Sequence, residues 1–310
     1  MNLRELGELG LLKRLKPYLS GSGHELLIGA GEDDAAAWRE PDGSITIATC
    51  DSFVEGVHFD LARLRAEDVG WRCLALAVSD LAAKGAEPSY GMVTLSAPPD
   101  WAVATAEELY RGLAAAAEMC RLKLVGGDTT STSGPATITV FALGRARTEP
   151  IARSRARPGW ELAVTGALGA AKAGQEASSR GDSLDPAWVE SLRRPRPRLR
   201  EGARLCAAGL VCGDISDGLL RELDKLSAVA GVGAILNRDA VPVAANCSWE
   251  QAVSSGEEME LFCAGPAAAI AAGAELLTVV GELTGDGRVV LVDSNGAEIT
   301  VLARGYEHFA

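Results

Sequence analysis

The chain has no Cys-x-x-Cys pair: its seven cysteines, Cys50, Cys73, Cys120, Cys206, Cys212, Cys247 and Cys263, stand singly. An odd, unspaced set argues against a disulfide framework and reads as reduced thiols serving as small hydrophobes. Histidine is scarcer still. Only His24, His58 and His308 are present, far apart in sequence, which disfavours a zinc centre. Positive charge is also in deficit, because 30 Lys and Arg against 42 Asp and Glu leave a net charge of −12. Non-specific nucleic-acid binding needs a basic surface, so that class is excluded. No run approaches the ~20 apolar residues of a membrane span. The first stretch, MNLRELGELGLLKRLKPYLS, interrupts its leucines with charges and reads as an amphipathic helix rather than a signal peptide. These absences together predict a cytoplasmic protein that binds neither membrane nor nucleic acid.

Familiar active-site motifs are missing as well. There is no Gly-x₄-Gly-Lys-[Ser/Thr] loop and no Gly-x-Gly-x-x-Gly after a strand; GVGAIL at 231–236 lacks its third glycine. Without Gly-x-Ser-x-Gly, serine-hydrolase chemistry has no support either. A nucleotide, if bound, is bound by another scheme.

What is present is a large apolar fraction and a set of acid-bearing turns. With 310 residues and 47% hydrophobic composition, two domains with real cores are expected. Strand-like and helix-like segments alternate in both halves, which predicts an α/β or α+β chain with mixed sheets. SITIATC at 44–50 reads as a strand ending at Asp51, 67–85 as a helix, and WAVATAEELYRGLAAAAEMCRLK as a long helix. The arginine-rich, proline-punctuated RARTEPIARSRARPGW reads as a connection, giving domains 1–148 and 149–310. Later, Leu219, Leu223, Leu226 and Ala230 form one stripe of a helix that Ser216 or Asp217 can cap.

Asp51 at a strand end fits either an ordinary turn acid or a ligand site of the kind found at the ends of α/β strands. Asp80 lies three and four residues after Ala77 and Leu76, on the apolar side of its helix, so burial there demands a cation or several hydrogen bonds. In VGGDTT, glycines permit close approach to a phosphate while Asp128 and the threonines offer oxygen ligands. GDISDGL sets Asp214 and Asp217 about a helix start, where a simple N-cap explains one acid but not both. Glu32, Asp33 and Asp34 stand consecutively in GAGEDDAAAW. Hard oxygen ligands in this number suit Mg²⁺, which suits nucleotide phosphates.

EDDAAAW, TCDSFVEGVHF, AVSDLAAKGA, LVGGDTT, ARSRARPGWELAVTG, RRPRPRL, DISDGL, SSGEEMELF and RGYEHF occur in an order and spacing that resembles the thiamine-monophosphate kinases. These belong to the superfamily of ATP-dependent aminoimidazole ribonucleotide synthetase, and the resemblance covers nearly the whole chain. It implies a two-domain α/β subunit that dimerises through its N-terminal sheets. It implies metal ligation by Asp33, Asp34, Thr49, Asp51, Asp80, Asp128, Asp214 and Asp217, with Asp80, Asp128 and Asp217 acting in catalysis through the metal. ATP contacts fall on Gly127, Asp128, Arg153 and Ser216, and thiamine-phosphate contacts on His58, Glu257 and Tyr306. Arg155, Arg157 and the run 193–200 read as solvated linker charge.

The implied reaction moves the γ-phosphoryl group of ATP, with Mg²⁺, onto the phosphate of thiamine monophosphate, giving thiamine diphosphate and ADP. A phosphate monoester has its second pKa near ~6, so the attacking oxygen needs no general base at neutral pH. The barrier is two polyanions meeting beside an acidic protein. Several positions depart from the family pattern. GAGEDDAA carries one residue more than usual, Ser255, Glu258 and Met259 alter the SSGEEMELF loop, Ala77 replaces a usual asparagine, and Lys84 stands where methionine is common. A superfamily member with a different acceptor, or a nucleotide-binding homologue without catalysis, is the alternative. Selenophosphate synthetase is disfavoured because no Cys precedes Cys50, and the hydrogenase maturation protein because the chain ends without Cys.

Overall fold

The computed structural model describes residues 1–19 and 25–309, so His24 lies outside the described residues. The N-terminal stretch forms two short helices, α1 (Leu3–Leu6) and α2 (Glu8–Leu15), rather than one. Gly7 separates them with φ at +70°, a left-handed conformation that a helix interior does not hold.

Strands β1 (Leu26–Ile28), β2 (Ala36–Arg39), β3 (Ile45–Val54), β4 (Ala86–Ala97), β5 (Lys123–Ser131) and β6 (Thr137–Ala146) form a first sheet ordered β1-β2-β3-β6-β4-β5. Only β4 and β5 run parallel there, and α4 (Val103–Cys120) supplies the crossover that a parallel pair requires. Two strands outrun the sequence expectation. β3 continues past Asp51 because β6 keeps pairing with it, Ser52 opposite Thr139 and Val54 opposite Thr137. β5 absorbs the Gly-Gly-Asp segment because β4 pairs along all of it, Val93 opposite Gly127 and Thr94 opposite Asp128. Asp51 and Asp128 are therefore mid-strand residues, not turn residues.

Strands β7 (Glu161–Thr165), β8 (Val211–Asp214), β9 (Gly233–Asn237), β10 (Leu261–Gly265), β11 (Leu277–Thr284), β12 (Val289–Val292) and β13 (Glu298–Ile299) make the second sheet, ordered β13-β12-β9-β11-β7-β10-β8. Helices α5 (Ala170–Arg180), α6 (Pro186–Arg193), α7 (Leu199–Ala207), α8 (Leu219–Ala230), α9 (Trp249–Ser254) and α10 (Ala267–Ala272) belong to this half. The stripe predicted for α8 is buried at Leu219, Leu223 and Leu226. Its start is capped by neither Ser216 nor Asp217, since Gly218 is the N-cap and makes no side-chain bond.

Helix α3 (Ala66–Ala83) joins the halves. Every residue except Glu67 is buried, the charged Asp68, Arg72 and Asp80 included. It packs on β3 and β6 on one side, on α4 on another, and on α7 and β8 on a third. Glycines make the close approaches: a Cβ at Gly112 would sit 1.8 Å from Glu67 O, and one at Gly202 would sit 1.9 Å from Ala82 O. The arginines of the second connection also hold the halves together. Arg194 bonds Asp68 and Glu67 at 2.9 Å and lies 5.1 Å over the Trp71 ring, so it is a structural tie rather than solvated linker charge.

Candidate active site

Three acids from three separate elements converge. Asp34 lies in the loop after β1, Asp80 in the last turn of α3 and Asp214 at the end of β8, and each offers a carboxylate oxygen within 4.8 Å of the others. Two unit charges at such a distance repel by roughly 3 kcal/mol at an effective dielectric near 20. All three carboxyls hold protons more tightly than usual. Desolvation is the first cause in each case, opposed at Asp34, whose side chain keeps 27% exposure, by Arg153, and reinforced at Asp80 by Asp51 and Asp34 and at Asp214 by Asp80 and Asp34. Thr49 donates its hydroxyl to Asp80 Oδ2. Asp51 stands alongside: burial, then Asp214 and Asp34, push it up to about 7. Asp214 Oδ1 is buried and has no hydrogen-bond partner. A buried, partnerless carboxylate oxygen on a residue grouped with two other carboxyls is what a hard divalent cation would satisfy, so these residues fit Mg²⁺.

The run of Glu32, Asp33 and Asp34 divides three ways. Glu32 turns back to accept the Gly29 N–H at 2.8 Å. Asp33 has a fully buried side chain whose Oδ2 accepts from Lys84 Nζ at 2.6 Å and from Arg153 N at 2.8 Å. Only Asp34 joins the acid group. Asp33, expected as a metal ligand, already has its charge matched by side-chain cations. Arg153 is likewise not where an exposed nucleotide could meet it. It is 1% exposed, pairs with Asp34, donates to Glu222 Oε2 at 2.9 Å, and stacks on Phe262 at 5.0 Å. Burial works against its charge, but Asp34, Glu222 and Asp33 outweigh this and hold the proton.

Asp217 and Ser216 lie on the rim, at the turn between β8 and α8. Lys225 Nζ bridges Asp217 Oδ2 at 2.6 Å and Glu222 Oε1 at 3.0 Å, and Ser216 Oγ donates to the same Glu222 oxygen at 3.1 Å. Two further segments dock on this turn. Glu257 N donates to Ser216 O at 2.8 Å and Tyr306 N to Asp217 O at 2.9 Å. Glycines permit both contacts, because a Cβ at Gly256 would lie 2.6 Å from Ser216 O and one at Gly305 would lie 2.2 Å from Asp217 O.

Beyond Glu257 the wall turns aromatic. His58 lies 6.5 Å from Tyr306 and 5.5 Å from His308, and Phe53 backs it at 5.9 Å. Two of the histidines that are distant in sequence are thus neighbours in space. Burial lowers the His58 pKa, although Glu257 acts in the opposite direction, so the ring is neutral near pH 7. Its Nδ1 accepts the Val54 N–H at 3.0 Å, which leaves the proton on Nε2. Glu257, at φ +57°, is held by Arg72 and by Gln175 Nε2 at 2.7 Å. Two of the altered positions of this loop meet: Ser255 Oγ donates to Glu258 Oε1, which also accepts from Gly169 N and Ala171 N at the start of α5.

Gly127 and Asp128 do not join the acids. The register runs from Asp51 to Val140, Val93 and Gly127 across three strand spacings, about 14 Å, and Asp128 is exposed on edge strand β5. Gly127 has a packing reason of its own, since a Cβ there would lie 1.7 Å from Val93 O. Sequence reasoning missed Glu222, Lys225 and His308, and left Lys84 only as a departure. For Glu222 the available signal was an acid on the apolar stripe side of α8, three residues after Leu219.

Two mixed sheets and acids contributed by both halves define a two-domain α/β scaffold, and the family models agree. The model described as AIR synthase related protein, N-terminal domain, matches residues 32–146, and the C-terminal domain model matches 157–294. The thiamine-monophosphate kinase of Synechococcus elongatus is 32% identical over 330 residues, covering 99% of this chain and 98% of that protein. The Bacillus subtilis thiamine-monophosphate kinase is 31% identical, covering 76% of each. A solved structure, AaThiL complexed with AMPPCP and TMP, superposes with a TM-score of 0.86 at 27% identity and 99% coverage of both chains. The chain belongs to the AIR synthase related family and, within it, to the thiamine-monophosphate kinases.

Proposed function

We propose that this kinase transfers the γ-phosphoryl group of ATP to the phosphate of thiamine monophosphate. The observation that carries the reading is the convergence of Asp34, Asp80 and Asp214, with Asp214 Oδ1 buried and partnerless. With Thr49 and Asp51 beside them, these residues would hold Mg²⁺, which supplies charge neutralisation and alignment of the two polyanions. Asp217 on the rim is a further acid near that region, close enough to raise Asp51. No side chain has to take a proton from the acceptor phosphate, and the neutral His58 accordingly serves as a wall. His58, Tyr306 and His308, with Glu257 held by Arg72, suit a cationic aromatic acceptor: rings to stack on and a carboxylate for its charge.

Gly127 and Asp128 are proposed nucleotide contacts reached across the first sheet, whereas Arg153 supports the acids from below. The exposed face of that sheet carries Tyr90, Met92 and Val125 at 50%, 43% and 59% exposure, and we assign it to a second copy of the chain. Residues 1–148 and 149–310 are the two proposed domains. A cytoplasmic location is part of the proposal, in keeping with the unpaired cysteines; among the described residues no helix is long and apolar enough to cross a membrane. The decisive assay mixes the protein with ATP, Mg²⁺ and thiamine monophosphate and looks for thiamine diphosphate and ADP in equal amounts. Failure to form thiamine diphosphate at saturating substrates, with ATP still bound, transfers the reading to a different acceptor or to a non-catalytic homologue.

A further inference from the structure

Lys84 is a buried cation that the proposed chemistry leaves unused. Its side chain is 1% exposed, and its ammonium donates to Asp33 Oδ2 and to the Cys212 carbonyl, both at 2.6 Å. Each member of this trio sits next to one acid of the converging group. Asp33 precedes Asp34 on the loop after β1, Lys84 caps α3 one turn beyond Asp80, and Cys212 lies on β8 two residues before Asp214. Lys84 N also bonds Asp80 O at 3.2 Å, so the turn carrying Asp80 is fixed to the lysine backbone. One ammonium therefore ties together the three elements that carry the three acids, and those elements come from both halves of the molecule.

We infer that Lys84 is a positioning residue for the proposed cation site: by clamping Asp33 to the Cys212 carbonyl it holds Asp34, Asp80 and Asp214 at their mutual spacing. The inference rests on the cation reading of those acids. Like charges at this range push their carriers apart, and a buried carboxylate–ammonium–carbonyl bridge opposes that movement before any ion arrives. Groups behind metal ligands commonly alter affinity by 10- to 100-fold when removed, which sets the effect to look for. Asp33, in the same account, belongs to the clamp and is no ligand.

The test compares Lys84→Met, the double variant Lys84→Met/Asp33→Asn and Asp214→Asn with the wild type. Mn²⁺ dissociation constants come from calorimetry and unfolding midpoints from circular dichroism. Lys84→Met should weaken Mn²⁺ binding by about tenfold. It should also melt earlier, because Asp33 loses a partner. Removing both charges should restore the melting midpoint but not the Mn²⁺ affinity, which separates positioning from general stability. Unchanged or tighter Mn²⁺ binding in Lys84→Met overturns the inference, and so does recovery of affinity in the double variant. If Asp214→Asn also binds Mn²⁺ like the wild type, the cation reading itself falls; if only the Lys84 variants do, that reading stands and the clamp alone is lost.

Discussion

Arg153 Nη1 donates to Glu222 Oε2 at 2.9 Å, and both side chains are almost wholly shut off from water, at 2% and 0% exposure. The pair ties the connection between the sheets to α8, directly behind Asp34. Burial alone would favour the neutral acid at Glu222, but Lys225 and Arg153 outweigh it and the carboxyl stays below its ordinary range.

Breaking that pair on one side should therefore be costly. Glu222→Gln leaves Arg153 short of a counter-charge in a dry site, and we expect a loss of roughly 3 kcal/mol of stability. Urea denaturation measures it. A midpoint within error of the wild type contradicts the buried-pair account.

Removing one of the converging acids should act in the opposite direction on the cation-free protein. Asp214→Asn relieves repulsion with Asp80 and Asp34, so the apo fold should be as stable as the wild type or more so. Turnover with ATP and thiamine monophosphate should nevertheless fall by on the order of a hundredfold or more. Steady-state kinetics paired with thermal melts reads both, and near-normal turnover would sink the acid assignment.

Stability should depend on pH with an unusual sign. Asp51, at about 7, and Asp34, Asp80 and Asp214 bind protons more tightly when folded than in the unfolded chain, where carboxyls titrate near ~4. The folded state then holds the extra protons between these values, so this contribution is present at low pH and is lost as pH rises through about 7. In EDTA the melting temperature should decline from pH 5 to pH 8, and excess Mg²⁺ should flatten or reverse that decline. A rise over the same range in EDTA is the contrary result.

Glu258 adds a second component that Mg²⁺ does not reach. Burial pushes it up to about 7 despite the donors Ser255, Gly169 and Ala171. Glu258→Gln keeps an acceptor for those donors and removes the titration. The variant should match the wild type near pH 5 and exceed it at pH 8 by up to roughly 3 kcal/mol. Parallel pH curves for the two proteins would show that Glu258 titrates normally.

The exposed face of the first sheet offers a test of assembly. Met92, 43% exposed, alternates with the buried Val93 on β4. Met92→Lys should convert a dimer to monomers in light scattering without lowering the monomer's folding cooperativity. A wild-type protein that is already monomeric at micromolar concentration refutes the proposed pairing.

Much of the architecture was legible because its causes are local. Helices α3 and α4 follow from apolar spacing, and the stripe of α8 from leucines one turn apart. Strand extents were misread where pairing decided them: neither β3 beyond Asp51 nor β5 through Asp128 is visible without the partner strand. The aromatic wall was half legible, since Tyr306 was expected there but the contact between His58 and His308 spans nearly the whole chain.

By itself the sequence determined which groups were available: many carboxylates, few histidines and no phosphate-binding loop motif, a donor set that would suit a hard cation rather than zinc. Only the tertiary structure decided what each carboxylate does. Asp33 and Asp34 are adjacent and chemically identical, yet one is neutralised by Lys84, 51 positions away, and the other meets Asp80 and Asp214. The reason is electrostatic: a buried acid's charge state and role depend on what lies within a few ångströms of it, and packing brings those neighbours from elements that sequence order keeps apart.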